Sequence, residues 1–162
     1  MRAAWLHGAT ALGLVLLLAA ISRAEDAPLP DSVRVQLRTA KLMPIASVTA
    51  LPELARLGLA ALFRSTQLEM ADPDGEFQVT DVVTKPNLPA RRLAAAGCSA
   101  EHCIIYYERG GIAHTWTVVI LKIQKSPAEF VWGGSAPRGL ADLAAVREAL
   151  LNGRVDGRRN YW

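Results

Sequence analysis

Val33, Val35 and Leu37 alternate with Arg34, Gln36 and Arg38 in the stretch SVRVQLRT. A period of two places the apolar set on one side and the polar set on the other. Residues 32–39 therefore read as a strand with one wet face. The next apolar series has a longer period. In LPELARLGLAALFRS, Leu54, Leu57, Ala61 and Leu62 share one helical face, and Pro52 suits a first helical turn. ADPDGEF reads as a turn. EFQVTDVV reads as a strand with Phe77 and Val79 inward. NLPARRLAAAG reads as a short helix that stops at Gly97.

The strongest strand signals come later. CIIYYE and IAHTWTVVILKI are rich in β-branched and aromatic residues. Gly110-Gly111 between them allows the positive φ angles of a tight hairpin turn. A turn on those two residues pairs Tyr107 with His114, Ile105 with Trp116 and Glu108 with Ala113. AEFVW is a further strand after the Lys125-Ser126-Pro127 turn, and Gly133-Gly134 is its exit. GLADLAAVREALLNG is an amphipathic helix with Leu140, Leu143, Val146 and Leu150 on one face, ended by Asn152-Gly153. The pattern is that of an α+β fold: a mostly antiparallel sheet with helices packed on one face, in a single domain.

The first residues change how the rest is read. MRAAWLHGATALGLVLLLAAISRA has basic residues ahead of an apolar run and small residues at Ser22 and Ala24. That is the pattern of a secretory signal peptide over residues 1–24. The run is too short to span a membrane, which takes about 20 residues. No cysteine follows it to carry a lipid. The expectation is a periplasmic or secreted protein with no membrane attachment after cleavage. Residues 25–30 are a flexible lead-in, and residues 31–162 form the domain. Arg2 and Arg23 go with the leader, so the formal charge of +3 falls to about +1. No clustered basic face argues for nucleic acid. The basic tail RVDGRRNYW reads as a solvated end, with Trp162 either docked on the body or open to a partner.

The candidate chemistry is concentrated in GCSAEHC. Cys98 and Cys103 are the two cysteines of the chain, with four residues between them and His102 just before the second. The spacing is not that of a redox dithiol, and no histidine follows Cys103 to attach haem. Zinc could recruit Cys98, Cys103, His102 and His114, but adjacent strand residues point to opposite sides. In an oxidising compartment two lone cysteines pair. The expected disulfide closes a short loop and holds Ser99, Ala100, Glu101 and His102 for a partner. A structural staple is the plainer alternative. No metal and no cofactor are expected. DPDG at residues 72–75 lacks the later ligands of a calcium loop and reads as a turn.

Enzyme constellations are weak. An acid and a histidine, Glu108 and His114, flank the hairpin turn, as acid–base work would need. In the expected register they lie on opposite faces, and the Tyr107–His114 pair reads as packing. Trp116 and Trp132 read as core aromatics. No serine elbow or glycine-rich phosphate loop is present, so the chain reads as a binding protein, not an enzyme. A hydrolase or metal protein using His114 and His102 is the remaining alternative.

CSAEHC, the hairpin IIYYERGGIAHTWTVVILKI, the strand EFVW and the aromatic end NYW follow one another in residues 97–162. In this order and spacing the chain resembles the inhibitor of vertebrate lysozyme family, periplasmic proteins of Gram-negative bacteria. In that family the loop histidine stands at the third inner position, usually followed by an acid. Here it is His102, at the fourth, preceded by Glu101. The resemblance implies a partner-binding loop of Ser99, Ala100, Glu101 and His102. Its target would be a lysozyme or another cell-wall enzyme. Lysozymes use two carboxyl groups, between which an imidazole could sit. A non-inhibitory envelope binding or maintenance module is the alternative, and a second copy of the chain is another partner to consider.

Overall fold

A computed structural model describes residues 27–83 and 85–157 of the 162-residue chain. The expected leader and Trp162 lie outside the described residues. The fold is α+β. Six strands form one antiparallel sheet in simple sequence order: β1 Met43–Ile45, β2 Arg91–Cys98, β3 His102–Arg109, β4 Thr115–Lys122, β5 Glu129–Ser135 and β6 Asp156–Gly157. Three helices accompany it: α1 Asp31–Thr39, α2 Glu53–Leu62 and α3 Leu143–Leu151. None is long and apolar enough to cross a membrane.

The helices divide between the two faces instead of gathering on one. Alternation along β3 and β4 explains why both faces need cover. Ile104, Tyr106, Val118 and Ile120 pack with Trp132 beneath α1 and α3. Cys103, Ile105, Tyr107, Val119 and Leu121 pack beneath α2 through Ala55 and Leu59, joined by Leu51 just before the helix. Strands buried on both sides read as unbroken apolar runs, which is what CIIYY and VVIL are.

Residues 32–39 are a helix, not a strand. Val33 and Leu37 are buried, whereas Val35 is 58% exposed. The two ends of the alternating series are four residues apart, which is also one helical turn. Only Val35 distinguishes the two readings, and it points to water. Asp31 in the first turn and Arg38 in the last oppose the helix dipole favourably. Arg34 then donates from Nη1 to the carbonyl of Leu151 at 3.0 Å, tying α1 to the end of α3.

The expected helix over residues 87–97 is largely the strand β2. It is paired on both sides, Met43–Ile45 against Ala96–Cys98 and Arg91–Cys98 against β3. Its alanines and glycine answer a packing need. A Cβ on Gly97 would stand 2.2 Å from Leu143 Cδ2, so α3 sits too close for anything larger unless Leu143 moves. Helix propensity is worth tenths of a kcal/mol per residue, and sheet pairing overrides it.

EFQVTDVV is not a strand. Phe77 is buried as expected, but Val79, Val82 and Val83 are exposed. The segment folds on itself: Gln78 donates its backbone N–H to Pro89 at 2.9 Å, and Lys85 pairs with Glu76 at 2.7 Å. Helix α2 lies where the sequence places it but turned to another face. Ala55, Gly58, Leu59 and Ala60 are buried, while Leu57 and Ala61 face solvent. Gly133 and Gly134 lie within β5, not at its exit. Helix α3 matches its expected face through Val146 and Leu150, and Gly153 follows it at φ +66°.

The described part of the lead-in is tied down. Ala27 donates to Gly157 at 3.1 Å and accepts from the Trp132 indole at 2.7 Å, and Leu29 is buried.

Candidate functional site

Cys98 and Cys103 are joined, and they face each other as the last pair of β2 and β3. Their loop is therefore a hairpin turn. Ser99 donates its N–H to the carbonyl of His102 at 2.8 Å. Its hydroxyl accepts from the N–H groups of Glu101 and His102 at 3.2 and 3.1 Å. Glu101 also accepts at its carbonyl from Ile123 at 2.8 Å, which fastens the turn to the end of β4.

Ala100 and Glu101 stand out from this turn, whereas the His102 side chain is only 14% exposed. His102 is the first residue of β3 and pairs with Lys122. Its Nδ1 lies 3.9 Å from a Glu101 carboxylate oxygen. An apolar pit of about 220 Å³ opens beside it, floored by Val33, Leu37, Ile104 and Ile120 and rimmed by Lys41 and Glu101.

Burial holds the His102 imidazole below its ordinary pKa, Glu101 opposing and Lys122 reinforcing the shift. The folded state thus favours the neutral ring. As pH falls through about 6.5, the unfolded chain takes up the proton first, and stability is lost. The expected result is a urea midpoint that drops between about pH 7.5 and about pH 5.5, with a smaller drop in His102→Gln. Equal slopes in both proteins would show that His102 contributes nothing to the acid sensitivity.

A second cluster lies at the other end of β3, about 20 Å away at ~3.3 Å per residue. Glu108 is buried, its side chain 8% exposed. Arg92 donates from Nε to Glu108 Oε1 at 2.5 Å and pairs with the same oxygen through Nη2. His114 Nε2 lies 2.9 Å from Glu108 Oε2. The His114 ring stacks on Trp116 at 4.1 Å between centroids. The Arg138 guanidinium lies 5.4 Å from the centre of the same indole.

This cluster corrects the expected hairpin register. Arg109 pairs with Thr115, Glu108 with Trp116 and Tyr107 with Thr117. The turn spans residues 110–114, not two glycines. Only Gly111 has a positive φ, +127°. Gly110 answers a different need: a Cβ there would stand 1.7 Å from the Gln78 carbonyl oxygen. The 76–90 segment packs against the turn at that point, with Gly110 and Gly111 donating to Ala90 and Val79. The longer turn brings His114 back over Glu108, and the two do not lie on opposite faces.

Arg92 was hidden in a supposed helix, and Arg138 sits in a loop without a motif. The signal that could have found the site is Glu108 itself, an acid closing a run of apolar strand residues. No group of three or more His, Cys, Asp or Glu that could hold a metal exists among the described residues. No protein-family model, no curated protein and no solved structure matches the chain.

Proposed function

We propose that the protein is exported and binds a macromolecular partner at the disulfide-closed end of its sheet, the partner being a lysozyme or related cell-wall enzyme. The observation that carries this reading is a preorganised turn beside an apolar pit. The disulfide, the hydrogen bonds between Ser99 and Glu101 and His102, and the Ile123 tether fix the turn before any partner arrives. Little ordering entropy is then left to lose on binding. Ala100 and Glu101 form the knob, and the pit rimmed by Lys41 receives an apolar group. The leader pattern and the paired cysteines support export.

The burial of His102 favours a second reading, in which the disulfide is a staple and the module binds without inhibiting. An imidazole that enters a catalytic cleft must stand clear of its own body, and His102 is mostly enclosed.

The test is cell-wall lysis by several lysozyme classes with oxidised mature protein, beside Ala100→Arg and His102→Ala. Inhibition lost in Ala100→Arg supports the turn as the contact, and loss in His102→Ala as well adds the imidazole. Binding without inhibition selects the second reading. Neither binding nor inhibition of any class overturns the proposal.

A further inference from the structure

We propose that the cleft over Glu108 binds a small carboxylate ligand with neighbouring hydroxyl groups, the chemistry of a sugar acid. The cleft has a volume of about 450 Å³, within the usual size of small-molecule sites. Its walls come from separate parts of the chain: the turn at Asp74, strands β2 to β4, and the loop that carries Arg138.

The polar groups define what fits. As a carboxylate, Glu108 only accepts hydrogen bonds. The His114 Nε2 facing its Oε2 at 2.9 Å therefore carries the proton. In the neutral ring that leaves Nδ1 as a bare acceptor. Nδ1 has no partner among the described residues, and the ring lines the cleft. It asks for a donor such as a hydroxyl. Asp74 at the rim asks for another.

Arg138 supplies the opposite character. It is exposed and has no carboxylate partner among the described residues. Its fork suits a planar carboxylate, which it can hold by two parallel hydrogen bonds. Both Arg138 and His114 lie against Trp116, which sets the spacing between the donor fork and the acceptor. A dianionic phosphate is disfavoured, because Glu108 and Asp74 line the same cleft and Arg92 is already engaged by Glu108.

A buried ion cluster is a poor way to gain stability, since apolar residues of similar volume would serve as well. Here it orients an imidazole at an open cleft. The site is remote from the disulfide-closed turn, so binding at either place can be lost without the other.

The test uses D-glucuronate and D-glucose as probes, titrated into the oxidised protein while the Trp116 indole resonance is followed. Saturable binding of glucuronate with a Kd on the order of 1 mM is expected. Glucose should bind at least about tenfold more weakly. Arg138→Gln, on an exposed loop that tolerates the change, should weaken glucuronate about tenfold and leave glucose unaltered. His114→Phe should weaken both probes. No saturable shift, equal affinity for the two probes, or unaltered glucuronate affinity in Arg138→Gln would overturn the proposal.

Discussion

Glu108→Ala is expected to lower the free energy of unfolding by about 2–4 kcal/mol. The carboxylate accepts from Arg92 and faces His114 in one enclosed place. Removing it leaves the Arg92 guanidinium with only the Gly75 carbonyl, 3.3 Å from Nη1, and takes the acceptor from the His114 imidazole. A fully buried charge so abandoned costs about 3–5 kcal/mol. The Arg92 side chain is 30% exposed and can turn partly to water, which lowers the figure. Glu108→Gln keeps the shape and one acceptor, and should cost less than the alanine. Urea denaturation of both variants measures this. A loss below about 0.5 kcal/mol in Glu108→Ala would mean that the cluster is solvated and unimportant to the fold.

Tyr106→Ala is expected to cost about 3–5 kcal/mol, as other large aromatic truncations do. Tyr106 is fully buried between β3 and the loop after β5. Its hydroxyl donates to the Pro137 carbonyl at 2.8 Å and lies 3.4 Å from the Leu140 N–H. Tyr106→Phe isolates that polar part and should cost about 1–2 kcal/mol. It also has a local signature. The hydroxyl anchors the loop that bears Arg138, so hydrogen exchange at Leu140 should quicken in Tyr106→Phe while the centre of β4 stays protected. Unchanged exchange at Leu140 would show that the loop is held by other contacts.

The disulfide could be read from the two lone cysteines together with the leader-like start, because two cysteines in an oxidising compartment have few other fates. The strands β3, β4 and β5 and the helix α3 were equally legible. Their apolar residues are numerous, and their propensity agrees with their period. The errors fall where local pattern and tertiary demand part company. Val33 and Leu37 fit a strand and a helix alike, and the contact with α3 decides. ARRLAAAG looks helical because alanine is the best helix former, and it is a strand because it is paired on both sides, with Gly97 leaving room for α3.

The candidate sites divide in the same way. Cys98, Ser99, Glu101 and His102 are neighbours in sequence, so their grouping is a local property that the chain carries by itself. How far each side chain emerges is not local, and the enclosure of His102 depends on the helix and strand ends around it. The second cluster is tertiary throughout. Arg92, Glu108, His114 and Arg138 come from three strands or their edges and a loop, and they meet only in one hairpin register. That register is set by the backbone of residues 78–79 and 90 lying against Gly110 and Gly111. The α+β class, the hairpin strands and the stapled turn follow from local period and cysteine chemistry, which the chain carries residue by residue. The faces, the register and the buried Glu108 cluster emerge only on folding, because each depends on contacts between residues far apart in the chain.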